Sequence, residues 1–126
     1  MDESQGQRND DLVVEIDRLI VEAHAGLEHA LDGKTCVPDA APVRHEQNAS
    51  WSQGGSYVRI AFFGEEVHVS ASHPAPPLEV GERLEDRIAN ERRDGRRIDN
   101  KWMSRDAQAI ADVVVSFLVT GSARLA

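Results

Sequence analysis

Residues 56–72 read SYVRIAFFGEEVHVSAS. Gly64-Glu65 makes a two-residue hairpin turn, with glycine in the first central place as a type II′ turn prefers. That choice sets Phe62 opposite Val67, Ile60 opposite Val69 and Val58 opposite Ala71. All three pairs are apolar and share one face, and a slip of a single residue would turn them all outward. Upstream, Gly54-Gly55 supplies a second turn, which brings Trp51 opposite Val58, Ala49 opposite Ile60 and Gln47 opposite Phe62. Two turn signals thus agree on one greasy face. The expectation is a three-stranded antiparallel meander over about 44–72, with strands near 44–52, 56–63 and 66–72. Its other face carries Glu46, Asn48, Ser50, Tyr57, Arg59, Phe63, His68 and Ser70.

Outward from the sheet, the periodicity changes. Apolar residues at 12, 16, 19, 20, 23, 27, 30 and 31 predict an N-terminal helix over 10–32, closed by Gly33. Residues 1–9 read as a flexible acidic tail, leaving 10–126 as one domain, and 33–42 as a loop rich in turn formers. His73-Pro74-Ala75-Pro76-Pro77 ends the sheet, because proline cannot continue a ladder. A short charged helix follows over 78–93, with Val80, Leu84 and Ile88 as its apolar line and Gly95 as its stop. A basic loop leads to a C-terminal helix over 104–121, capped by Ser104. The fold class is α+β, with the first and last helices on one face of the sheet.

The last helix is apolar around most of its circumference. Its polar residues Gln108, Asp112, Ser116 and Thr120 recur every four positions in one narrow stripe. A helix lying on a sheet needs only about a 100° apolar stripe. It is therefore either a central core helix or a contact between protomers, and a homo-oligomer through Val113, Val114 and Phe117, or through an edge strand, is expected.

Composition narrows the class of function. The chain has 126 residues, 40% hydrophobic and 29% charged, with a formal net charge of −8, which suits a single soluble globular domain. The opening residues MDESQGQRND carry no apolar signal segment, and the run at 109–119 is too short to span a bilayer and holds Asp112. A cytoplasmic protein with no membrane partner is expected. One cysteine, Cys36, permits no internal disulfide.

Chemistry is sparse. His24 and His29 lie about 140° apart around a helix and cannot share a metal as an i,i+4 pair can. Cys36 has only Lys34 as a nearby cation and lacks the surroundings of an activated thiol. No phosphate loop, zinc-protease, nucleophile-elbow or calcium-loop pattern occurs. No catalytic residue, metal site or cofactor is assigned. The best polar grouping is Asn48, Tyr57, Arg59 and His68 on the outer sheet face, where a small ligand or substrate could sit; polar residues are also the default there.

Charge distribution says more. Residues 1–32 hold nine acids against Arg8 and Arg18, whereas 83–105 hold eight of the fourteen basic residues. Glu15, Asp17, Glu22 and Glu28 on the first helix and Arg92, Arg93, Arg96 and Arg97 in the basic segment form two patches suited to protein contact. The expected function is a small protein-binding module of inhibitor, immunity-protein or adaptor type, working by charge-complementary contact with another protein. Nucleic-acid binding through Arg92–Arg97 is the alternative. The order helix, meander, helix resembles double-stranded-RNA-binding domains in topology, and SRDAQAIA (104–111) resembles the opening of their final helix. Roughly thirty residues separate sheet and last helix where that family has a short link, and its lysine cluster is reduced to Arg105. A net charge of −8 also repels phosphate.

Overall fold

The computed structural model describes residues 3–27 and 42–120. Its elements run α1 (Glu3–Leu27), β1 (Val43–His45), β2 (Asn48–Gln53), β3 (Ser56–Phe63), β4 (Glu66–Ser72), α2 (Leu84–Arg93), β5 (Ile98–Ser104) and α3 (Ala107–Thr120). The class is α+β, and the sheet has five strands in the order β1-β2-β3-β4-β5, every neighbour antiparallel.

The central register follows the two glycine turns. Phe62 pairs with Val67, Ile60 with Val69, Val58 with Ala71, Trp51 with Val58 and Ala49 with Ile60. Gly54 and Gly55 have φ of 59° and 87°, which a type I′ turn requires at both central places, and Gly64 has φ of 60°. Gln47 falls just outside the ladder, yet its carbonyl still accepts the Phe62 amide at 2.9 Å.

Three expectations are corrected. The first strand is two: β1 and β2 fold back on each other at Glu46-Gln47, so Val43 pairs with Ser50. The segment read as a basic loop contains β5, which adds to the free edge of β4 by pairing His68 with Trp102 and Val67 with Met103. The ladder shifts register between Val69 and Ala71, beside Asn100 at φ 47°. Helix boundaries move as well. α1 starts at Glu3 rather than 10, so residues 3–9 are helical, tied by Arg8 to Glu65 at 2.9 Å. α2 begins at Leu84 rather than 78, because Gly81 at φ 85° breaks any helix through it. α3 begins at Ala107, and its cap is Asp106, whose Oδ1 accepts the amides of Gln108 and Ala109 at 3.0 and 3.2 Å. Residues 28–32, Cys36 and Gly121 lie outside the described residues.

The core lies between the inner sheet face and two helices. Val13, Ile16 and Ile20 of α1, Val58, Ile60, Val67 and Val69 of the sheet, and Ile110, Val114 and Phe117 of α3 are buried. α3 packs on α1 and on β2 and β3. Val113, Val114 and Phe117 are 8%, 0% and 0% exposed within one chain, where they form part of the core. Its all-round apolarity is explained by burial on several sides at once. Trp51 is buried and donates its indole N–H to Asp17 at 3.2 Å, and His73 stacks on Phe117 with ring centroids 4.2 Å apart.

The segment between β4 and α2 is held by one arginine. Arg87 donates to Glu82 at 2.5 Å and to the carbonyls of Pro76 and Pro77. That hydrogen bond, with one from the Glu79 amide, holds the Glu82 carboxyl below its ordinary range. A carboxyl lowered by folding stabilises the folded form fully above its unfolded pKa, and the contribution disappears as pH falls through the lowered value. The protection of α2 amides, relative to their intrinsic exchange rates at each pH, should therefore fall below about pH 4, and Glu82→Gln should remove most of that dependence. A pH response unchanged in Glu82→Gln would assign the clamp to other groups.

Candidate functional site

α1 and α3 pack on the inner face of the sheet, and on the outer one Tyr57, Phe63 and Trp102 stay exposed. Strand alternation sends Asn48, Ser50 and Ser52 of β2 to this face, with Tyr57, Arg59, Ala61 and Phe63 of β3. Glu66, His68, Ser70 and Ser72 of β4 join them, as does Trp102 of β5. One row across the strands reads Asn48, Ala61, His68, Trp102, and the next reads Ser50, Arg59, Ser70.

Three rings gather at one end. Phe63 and His68 have centroids 4.5 Å apart, Phe63 and Trp102 5.4 Å, and His68 and Trp102 3.6 Å in an edge-on arrangement. Phe63 and Trp102 remain 51% exposed and Tyr57 41%. His68 Nε2 is buried and has no hydrogen-bond partner among the described residues. Opposite Ser70, Asp99 of β5 is paired with Arg92 and Arg97; the other full charges that β2 to β4 carry on this face are Arg59 and Glu66, in a chain where 29% of residues are charged. Neither makes an ion pair or side-chain hydrogen bond among the described residues.

The four polar residues singled out from the sequence do share this face. They are spread along it rather than gathered, and no hydrogen bond joins any two of them. The signal that sequence reasoning missed is Trp102, which joins the cluster only because β5 exists.

The two charge patches are largely occupied by internal partners. Arg18 bridges Glu15 and, at 2.8 Å, Glu22, and its hydrogen bond holds the Glu15 carboxyl below the ordinary range. Asp17 is engaged by Trp51, and Glu28 lies outside the described residues. In the basic segment, Arg92 and Arg97 both reach Asp99, at 2.7 and 3.1 Å, and Arg93 reaches Asp94 at 3.4 Å. Burial works to raise the Asp99 carboxyl, but the hydrogen bonds from Arg92 and Arg97 outweigh it and leave it lowered. Arg96 alone of the four has no side-chain partner among the described residues. Exposed pairs of this kind contribute about 0–1 kcal/mol each, so their main effect is to cancel local charge.

A cleft of about 230 Å³ lies beside α2, lined by His73, Pro74, Pro76, Glu82, Arg87 and Arg96 among others. Arg87 and Glu82 are already paired there, and the cleft is away from the aromatic face. No group of three or more metal-ligating side chains occurs among the described residues, and none of their helices is long and apolar enough to cross a membrane.

No family model matches the chain, and no curated protein or solved structure is significantly similar to it.

Proposed function

We propose that the chain is a protein-binding module of the inhibitor, immunity-protein or adaptor type, and that its contact surface is the outer face of the sheet. One observation carries the reading: a face with few charges and three half-exposed aromatic side chains, in a chain with a net charge of −8. Solvated sheet faces in charged proteins are ordinarily polar. Protein interfaces are instead depleted of charge at their centre and enriched in Trp, Tyr, Phe and Arg. This face holds one tryptophan, one tyrosine, one phenylalanine and one arginine. The aromatic cluster would set how long the complex lasts.

The test is capture from an extract of the protein's own cells. Immobilised wild-type chain is expected to retain a partner that the double variant Phe63→Ser, Trp102→Ser does not, with the helical content of both unchanged. Equal capture by the two would move the contact elsewhere.

A further inference from the structure

We infer that the occupant of the outer sheet face is a second copy of this chain, docked about a two-fold axis that passes between Ala61 and His68. The inference rests on the reading of that face as a protein contact and names the partner.

Its first support is the pair of charges. Arg59 and Glu66 have opposite signs and no side-chain partner among the described residues, and a basic partner would leave Arg59 facing another cation. Arg59 pairs in register with Ser70, and Glu66 with Phe63. With strands about 4.8 Å apart and a rise of about 3.4 Å per residue, Glu66 lies about 14 Å from Arg59, along and across the sheet. The midpoint of that line falls between Ala61 and His68, on the two strands β3 and β4. A two-fold axis in the plane of the interface, perpendicular to the line at this point, sets Arg59 of each copy over Glu66 of the other. Both orphan charges are then answered by one operation, as an isologous contact requires.

The same operation meets large side chains with small ones. On the idealised grid it places Phe63 between Ser50 and Asn48 of the second copy, and Trp102 between Ser70 and the Asp99-Asn100 irregularity of the second copy. The strands of the two sheets cross about 40° from antiparallel, close to the aligned packing of β-sandwiches at about 30°.

Area sets the strength. Strands of three to eight residues, spaced about 4.8 Å apart with a rise of about 3.3 Å, give about 490 Å² per copy. The total of about 1,000 Å² belongs with weak, transient contacts, which points to a reversible dimer. The edges of the sheet are poorer docking sites. β1 has three residues and follows Pro42, and β5 is irregular at Asn100 and carries Lys101, devices that discourage strand addition.

The experiment is sedimentation equilibrium on the full chain between about 1 and 300 μM. A monomer–dimer equilibrium is expected for a chain of 13.9 kDa. Arg59→Glu and Glu66→Arg should each weaken it at least tenfold by setting like charges face to face. The double swap should restore it to within a few-fold of wild type, with all three variants showing unchanged circular dichroism. A monomer at every concentration, or single swaps without effect, or no rescue by the double swap, would overturn the inference. If the chain is monomeric yet Phe63→Ser, Trp102→Ser still abolishes capture from extract, the second copy is wrong while the contact face stands.

Discussion

Replacing Phe117 with alanine is expected to destabilise the protein by about 3–5 kcal/mol, the usual range for a buried phenylalanine. Phe117 is fully buried on α3, the helix that touches both the sheet and α1. Its removal leaves a cavity at the meeting of three elements and takes away the ring on which His73 stacks. At this chain length each kcal/mol corresponds to a few degrees, so the melting temperature should fall by about 10–20 °C. Thermal unfolding followed by circular dichroism measures it. A loss under about 1 kcal/mol would mean that α3 is not the centre of the core. His73→Ala removes the stack, together with the hydrogen bond between His73 and Ser56, without opening the cavity.

The second large effect concerns binding. Exposed aromatic side chains that become fully covered dominate protein contacts, and truncating one commonly costs 2 kcal/mol or more. Phe63 and Trp102 touch each other and His68, so their losses will not add simply. The combined variant Phe63→Ser, Trp102→Ser is expected to weaken the contact by roughly a hundredfold or more. Stability should change far less, because both side chains are already half in water in the free chain. Trp51→Phe makes the opposite pattern: the ring is buried on the inner face, so losing its hydrogen bond to Asp17 and part of its core volume should cost about 1–3 kcal/mol of stability and leave binding intact. A double variant that unfolds would show that the aromatic cluster is structural.

The central hairpins were legible in the sequence because two glycine turns and period-two alternation agree, and only one register keeps Ile60 and Val69 together inside. The edges were not. β1 is three residues long, and its turn at Glu46-Gln47 contains none of the residues that mark a hairpin. β5 reads Ile-Asp-Asn-Lys-Trp-Met-Ser, and its irregularity at Asn100 destroys the alternation by which a strand is recognised. α1 extends back to Glu3 because the pairs of Arg8 with Glu65 and Asp10 with Arg44 hold its first turns against the sheet. Such tertiary contacts leave no local trace. For the site, alternation placed Asn48, Tyr57, Arg59 and His68 on one face, but Trp102 could reach them only through the unrecognised strand. The acidic and basic patches looked free in sequence, whereas folding gives most of their members partners close by.

Hydroxyl-radical footprinting tests most directly whether the outer sheet face is where protein binds. The chain offers its own comparison, because Val14 and Val21 on α1 and Val80 and Leu84 near α2 are also exposed apolar residues. Labelling is compared between dilute protein in buffer and the same protein in extract of its own cells at working concentration. Phe63, Tyr57 and Trp102 should become protected in the extract while Val14, Val21, Val80 and Leu84 stay labelled. Protection of the helix residues with the three rings still open would contradict the assignment.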